Sequence, residues 1–290
     1  MELEAILKQL YPDPNGNQIK CLKSIVSLMG YILINSSNTL KIKKVILAGS
    51  LGKNTILKGH LEVDCVYILE HSNFSYYHSF LEVQRVLKAN LPEVKQFVTK
   101  KHSITFKLNK PIGVVSVDLL PAFEINDQSQ MTQVRNRDAY YGSTSLIQKK
   151  YFKKVIKDYS RFRDLVLLLK SWRNTHKIPL TSYMLELIVS NAIYDTQKDQ
   201  DFSFFLEVCF RTIQSFTDGR VIAPVYWSKS FDDSDYKRGY SRSDLWLIDP
   251  SDLSDNMAKN ISPEDKYLIH SEAVKGLTKI HNGNYVFLIN

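Results

Sequence analysis

The chain has 290 residues, 44% of them hydrophobic and 11% aromatic, and carries a formal net charge of +8 at neutral pH. This composition provides enough apolar surface for one large or two modest lobes and argues against an intrinsically disordered chain. Three widely separated cysteines argue against a disulfide framework and a cysteine-based zinc site. The N-terminus is acidic and no apolar run approaches the length of a membrane span, so we expect a cytoplasmic protein with no secretory signal and no membrane partner.

Hydrophobic periodicity predicts a strand-rich region in the first part of the chain. Two helices are predicted before this region, at 3–10 and 18–34. Within it, the pattern predicts strands at 45–47 and 61–69 and a helix at 79–89. Gly49-Ser50 ends the first strand, because small residues of this kind mark a turn.

Glu62 and Asp64 lie two residues apart on the second predicted strand. Because the side chains of a strand alternate between its faces, both carboxylates project to one face and Val63 and Cys65 to the other. Two neighbouring acids repel each other unless a divalent cation lies between them. Carboxylate oxygens are hard ligands, and they suit an Mg²⁺ ion that also binds the phosphates of a substrate. A solvated strand face is the alternative explanation for the pair.

A third carboxylate, Asp118, lies on the second strand of a predicted hairpin with strands 103–108 and 114–120. Three acids on two strands match a two-metal site for phosphoryl or nucleotidyl transfer. The Gly49-Ser50 turn would allow backbone N–H groups to approach a triphosphate, and the Ser50 hydroxyl could donate to it. Together these residues predict a nucleotidyl-transfer site.

Helical periodicity dominates residues 149–217, beyond a polar crossover predicted at 125–145. Between Lys149 and Arg163, seven residues are basic and one is acidic. At about 100° per residue this segment has one apolar stripe and one cationic stripe, the latter comprising Lys150, Lys154, Lys157 and Arg161. Such a stripe fits the phosphate backbone of duplex RNA, and an ordinary solvated helix face is the alternative.

Lys170 and Tyr183 are further candidates for contacts with a nucleotide. Lys170 ends an apolar helical run, where its charge could neutralise donor phosphates. Tyr183 follows a helix start that Thr181 or Ser182 could cap, and its ring could stack on a base. Without further context, a surface lysine and a core tyrosine are the alternatives.

These motifs resemble those of one known family. The block GSLGKNTILKG at 49–59, the strand with Glu62 and Asp64, and VDLLPAFE at 117–124 resemble the 2′-5′-oligoadenylate synthetases and, at greater distance, the cyclic GMP-AMP synthase-like receptors. Further landmarks, including LLKSW at 168–172 and LIDPSD at 247–252, extend the resemblance to about residue 258.

The resemblance implies an α+β, bilobal, polymerase-β-like nucleotidyltransferase fold. Residues 1–145 would form a mixed-sheet catalytic lobe with N-terminal helices, and residues 146–290 a helical lobe. Two Mg²⁺ ions, or Mn²⁺ in their place, would bind the acidic triad of Glu62, Asp64 and Asp118. The nucleotide-binding residues implied by the family are Gly49, Ser50, Lys53, Lys170, Ser182 and Tyr183.

The implied function is synthesis of 2′-5′-linked oligoadenylates from ATP, activated by double-stranded RNA, as an antiviral second messenger of innate immunity. Glu62 and Ser182 replace residues usual in that family and are typical of the cyclic-dinucleotide enzymes. A receptor that makes a cyclic dinucleotide, with GTP as a further substrate, is therefore the first alternative. A catalytically silent RNA-binding scaffold is the second. The oligomeric state stays open.

Overall fold

The computed structural model describes residues 2–37, 39–70, 76–94, 96–100, 103–122, 140–194, 196, 200–226 and 244–290. Contacts divide the chain into two compact units, Pro12–Lys150 and a second one made of Met1–Tyr11 and Tyr151–Asn290. The first helix therefore packs with the C-terminal unit and not, as expected, with the catalytic lobe. The expected boundary at residue 145 falls inside a helix.

The unit Pro12–Lys150 is built on a five-stranded mixed sheet with strand order β1-β2-β5-β4-β3. β2 pairs parallel with β5, and the other three pairs are antiparallel. In chain order its elements are α2 (Asn17–Ser36), β1 (Ile42–Leu47), the one-turn helix α3 (Gly49–Gly52), β2 (Glu62–Leu69), α4 (Tyr76–Asn90), β3 (Phe97–Thr99), β4 (Ile104–Lys110) and β5 (Gly113–Ala122).

The alternation of side chains along β2 and β5 separates the two faces of this sheet. One face carries the buried core against α2 and α4, to which β2 contributes Val63, Cys65 and Tyr67. The other face carries a smaller apolar cluster that includes Val66 and Ile68. The structure confirms the predicted strands and the hairpin. They could be predicted because a period-two pattern with apolar residues on one face specifies a half-buried sheet.

Among the described residues, one helix, α2, matches a membrane span in length and composition, with a mean hydropathy of 1.3. The expectation that no segment does so is corrected here. Leu22, Ile25 and Met29 of this helix are buried in the core of the sheet unit, and a core helix of a water-soluble protein meets the same criterion. The cytoplasmic location stays a prediction.

The second unit is mainly helical. Its elements are α1 (Leu3–Leu10), the second half of α5 (Tyr140–Asp158), α6 (Phe162–His176), α7 (Ser182–Tyr194), α8 (Phe202–Thr217), the β6–β7 pair (Ile248–Asp249 and Asp252–Asn256), α9 (Pro263–His281) and a 3₁₀ helix (Val286–Leu288). Trp172 and Phe210 lie at the centre of its core and meet edge to face at 5.0 Å. Gly276 of α9 packs so closely on Phe210 that a Cβ there would lie 2.4 Å from the ring.

The basic segment is interrupted, in contrast to the prediction of one continuous helix. α5 already begins at Tyr140, ends at Asp158 and is followed by a turn, and α6 begins at Phe162. The turn brings Phe162 back onto Phe152, with the rings stacked at 5.7 Å in the core. Burial of these two rings favours the break, so Arg161 does not continue the helical stripe of α5. Residues 125–139 of the predicted crossover lie outside the described residues.

Candidate active site

The turn between β1 and β2 is fixed by close contact with Asp64. Gly49 has a φ of +58°, and a Cβ built on it would lie 1.7 Å from Asp64 Oδ2. The Ala48 N–H donates to the Asp64 carbonyl across 2.8 Å. Only glycine combines this backbone conformation with so close an approach. The Gly-Ser turn predicted from the sequence therefore lies directly against the first candidate metal ligand.

Glu62, Asp64 and Asp118 converge on the face of the sheet opposite the main core. In the parallel pairing of β2 with β5, Asp64 lies directly beside Asp118. One ligand oxygen from each of the three carboxylates lies within 4.8 Å of the others, and all three residues are half-buried. The structure thus brings together the three acids that the sequence predicted.

Burial, mutual repulsion and hydrogen bonding shift the pKa values of two carboxyl groups of this triad. Burial first, and then repulsion from Glu62 and Asp118, raises the pKa of Asp64 to about 6. A hydrogen bond between His60 Nε2 and Glu62 Oε2, at 3.0 Å, is the main cause that lowers the pKa of Glu62. A bound cation would offset both the burial of Asp64 and its repulsion by the neighbouring carboxylates.

Asp118 presents its two oxygens to different surroundings. Lys100 Nζ donates to Oδ2 across 3.2 Å, whereas Oδ1 is buried and has no hydrogen-bond partner among the described residues. A buried carboxylate oxygen without a donor is costly unless a cation or water binds it. Together with the hard oxygen donors of Glu62 and Asp64, it fits Mg²⁺ or Mn²⁺.

Two lysines lie near this turn. Lys53 follows α3 directly and its charge lowers the pKa of Asp64. Lys149 of α5 donates from Nζ to the carbonyl of Leu47, at the end of β1, across 2.9 Å. The resemblance implies Lys53 as a nucleotide-binding residue, whereas the sequence places Lys149 only in the basic segment. Ser50 is half-buried in α3, and its carbonyl accepts from the Thr55 N–H at 2.8 Å.

The other predicted nucleotide contacts belong to the helical unit. Lys170 of α6 is only 2% exposed, and its Nζ donates to Glu186 Oε1 of α7 across 3.0 Å. Sequence reasoning missed Glu186, since a pair between two helices leaves no periodic signal. Arg173 Nη1 donates to Ser182 Oγ across 3.0 Å. Lys170 is thus a buried, ion-paired lysine and not a surface residue.

Tyr183 is partly exposed and is held by its hydroxyl, which donates to Asp249 Oδ1 across 2.8 Å. Asp249 is buried and also accepts from the backbone N–H of Ser251. Burial, and then the charge of Asp249, raise the pKa of Tyr183 far above its ordinary value. Thr181 caps α7, as predicted, because its hydroxyl accepts from the Met184 N–H.

The predicted RNA-binding residues divide into two pairs. Lys154 lies 3.8 Å above the ring of Tyr226, and Arg161 contacts both Asp164 and Glu4. All four side chains are exposed, and for Lys150 and Lys157 of α5 no such contact is described. Their exposure is compatible with both original explanations, a contact with RNA phosphates and a solvated helix face.

Comparison with known proteins was made at three levels. No protein-family model matches the chain. The chain is 27% identical over 179 residues to an Escherichia coli (strain KTE188) protein described as the CBASS oligonucleotide cyclase CdnC. The match covers 57% of this chain and 56% of that relative, so it spans little more than half of the relative's length.

Two solved structures cover almost the whole chain. E. coli MS115-1 CdnC with ATP has a TM-score of 0.73 at 17% identity, over 96% of this chain and 90% of that one. The Cid1 poly(U) polymerase with MgATP has a TM-score of 0.71 at 16% identity, over 99% and 97%. The chain therefore has the polymerase-β-like nucleotidyltransferase fold, α+β with a mixed sheet and a helical region, which confirms the predicted fold class. The narrower resemblance to oligoadenylate synthetases stays a prediction.

Proposed function

We propose that this chain is a nucleotidyltransferase that joins nucleoside triphosphates into a short oligonucleotide. The observation that carries the proposal is the convergence of Glu62, Asp64 and Asp118 within 4.8 Å, against the Gly49 turn. Three acids on adjacent strands of a sheet, one of them with a raised pKa, are costly for the fold alone and useful for binding a divalent cation.

The triad would hold two Mg²⁺ ions, or Mn²⁺. When bound, these cations activate the attacking hydroxyl and stabilise the charge that develops on the transferred phosphate. The residues of the chain orient this chemistry: His60 holds Glu62, and the turn at Gly49 fixes Asp64. Asp118, with its buried Oδ1, is the group that would accept the proton of the attacking ribose hydroxyl.

A cyclic oligonucleotide is the product that we favour. The support is the match in sequence to a relative described as an oligonucleotide cyclase, together with Glu62 and Ser182, which resemble the cyclic-dinucleotide enzymes. A linear 2′-5′-oligoadenylate is the second candidate, because the block at 49–59 and the VDLLPAFE strand resemble the oligoadenylate synthetases. Both candidates use ATP, and GTP is an additional substrate of the first.

Contacts with the donor nucleotide are proposed for Ser50 and Lys53 on the triphosphate and for Ser182 and Tyr183 on the base. Lys170 would have to exchange Glu186 for a phosphate, since the two side chains are now paired. Double-stranded RNA is the proposed activator and would contact the exposed basic residues Lys150, Lys154, Lys157 and Arg161. A role in antiviral defence is part of this proposal for either product.

The test is incubation of the purified chain with all four nucleoside triphosphates and Mg²⁺, with and without duplex RNA, followed by mass spectrometry. Pyrophosphate release with a phosphatase-resistant oligonucleotide that lacks a terminal triphosphate supports the cyclic product. A ladder of triphosphate-bearing oligoadenylates supports the linear one. Asp118→Asn is the matched control, because it keeps the shape of the side chain and removes its charge.

Activity should fall by several orders of magnitude in this variant, whereas retention of more than about a tenth, a loss below about 1.4 kcal/mol, would contradict the assignment. Absence of any nucleotide product from the unaltered chain under all these conditions favours the silent scaffold.

A further inference from the structure

Lys100 lies beside the acidic triad, and the proposed reaction gives it no role. It follows β3 in the unit that contains the triad, and its Nζ is 3.2 Å from Asp118 Oδ2. The side chain of Lys100 is 54% exposed, whereas that of Asp118 is only 15% exposed. The pair therefore joins a half-buried candidate ligand to an exposed cation that can turn toward solvent.

The position of Lys100 affects the charge of the site. Three ionised carboxylates would give the triad a charge of −3, and one ammonium group in contact with Asp118 reduces this to −2. Since the ammonium group contacts Oδ2, and Oδ1 has no hydrogen-bond partner within the described parts of the chain, Lys100 holds one side of Asp118 and leaves the other side for a cation. A divalent ion that approaches Oδ2 meets the positive charge of Lys100 and has to displace it.

We propose that Lys100 is a positioning residue that competes with divalent cations for Asp118 and restrains metal binding until nucleotide phosphates are present. This inference rests on the proposed function, because it takes the triad as the metal site. A triphosphate supplies anionic oxygens to which the exposed ammonium group can turn. Lys100 thereby leaves Oδ2 of Asp118 open to a metal ion. Binding of the nucleotide then favours binding of the metal ions at the triad.

The experiment measures the dissociation constant of Mn²⁺ by electron paramagnetic resonance, without nucleotide and at low ionic strength. Lys100→Met removes the charge and keeps the length of the side chain, and Lys100→Arg keeps the charge. Lys110→Met is the matched control, because it removes the same charge at the opposite end of β4, where Lys110 pairs with Gly113. Circular dichroism and thermal unfolding in metal-free buffer establish that each variant is folded, and Lys100→Gln replaces Lys100→Met if the latter is not.

The variant Lys100→Met should bind Mn²⁺ at least about tenfold more tightly than the unaltered chain, a difference of about 1.4 kcal/mol. Lys100→Arg and Lys110→Met should stay close to the unaltered value. A non-hydrolysable nucleoside triphosphate should reduce the difference, because Lys100 then no longer occupies Asp118.

Unchanged or weaker Mn²⁺ binding in Lys100→Met would overturn the proposed role of Lys100. If Asp118→Asn still abolished binding in the same series, the metal site and the proposed function would stand. No Mn²⁺ binding by the unaltered chain or by any Lys100 variant would instead remove the metal site, and the role of Lys100 with it.

Discussion

Replacement of Gly49 by alanine tests the contact on which the geometry of the site depends. A Cβ at this position would lie 1.7 Å from Asp64 Oδ2 and 2.5 Å from its carboxyl carbon. Rotation of the Asp64 side chain does not remove the collision, because the Asp64 Cβ would also lie only 2.8 Å away and its backbone is fixed by strand pairing and by the Ala48 N–H bond to its carbonyl. Gly49→Ala should therefore displace either the turn or the Asp64 carboxylate.

The expected magnitude has two parts. An alanine with a φ near +58° costs about 1–2 kcal/mol through backbone strain alone. Displacement of packed atoms adds a further cost of about 1–3 kcal/mol. The melting temperature should fall by about 2–4 °C for each kcal/mol lost. Because Asp64 is a ligand of the proposed metal site, nucleotidyl transfer should fall by about a hundredfold or more, about 2.7 kcal/mol.

Gly59→Ala is the matched control for this experiment. Gly59 lies in the same unit with a φ of +79°, and a Cβ there would have no neighbour within 4 Å. It therefore reports backbone strain without a collision. Chemical denaturation, Mn²⁺ binding and nucleotide incorporation are measured for both variants. Equal stability and equal activity in Gly49→Ala and Gly59→Ala would refute the reasoning, since the contact with Asp64 would then have no consequence.

Three other predictions concern ionisable groups. Because the pKa of Asp64 is raised from 3.8 to about 6, the Asp64 carboxyl group binds more protons in the folded metal-free chain than in the unfolded chain between these values. The contribution of Asp64 to the free energy of unfolding, measured as the difference between the unaltered chain and Asp64→Asn, should therefore fall as pH rises through this range, and Mn²⁺ affinity should rise over the same range. A difference between the two chains that does not change with pH would contradict the assignment. Tyr183→Phe removes the hydrogen bond to buried Asp249 and should lower the free energy of unfolding by about 1–3 kcal/mol in urea denaturation; unchanged stability would show that the bond contributes nothing. Lys170→Met leaves the Glu186 carboxylate buried without the Lys170 ammonium group and should lower the free energy of unfolding by about 3–5 kcal/mol. The double variant Lys170→Met/Glu186→Leu should recover part of this stability. A double variant less stable than Lys170→Met would exclude a dominant role for the ion pair.

The sequence predicted the parts of the site that depend on local patterns. The hairpin of β4 and β5 follows from two alternating runs around Pro111-Ile112, and the shared face of Glu62 and Asp64 follows from the period of a strand. The convergence of Asp118 with them required an inference about non-local pairing, because β2 and β5 are parallel and far apart in the chain. The chemistry of a two-metal site, which requires three acids, suggested that pairing, and the resemblance to a family supported it.

The sequence could not predict contacts that depend on tertiary packing. The basic segment contains neither proline nor glycine, so its break after Asp158 had no local signal, and burial of Phe162 against Phe152 favours it. His60 lies before β2, in a turn where its N–H donates to the Leu57 carbonyl, so the period of the strand does not predict its contact with Glu62. Lys100 could not be predicted either, since its contact with Asp118 depends on how β3 and β4 pair.

The alternation along β2 also makes this strand unusually sensitive to insertions. Even-numbered positions from 62 to 68 face the acidic side and odd-numbered positions face the core. One residue inserted before Glu62 that shifted the pairing by one position would turn both acids into the apolar interior and bring Val63 and Cys65 to the metal side. Two inserted residues would restore the faces but move the acids past Asp118. The register of β2 against β5 is therefore itself a determinant of the chemistry, and an inserted residue preserves the site only where the loop before Glu62 takes it up without moving this register.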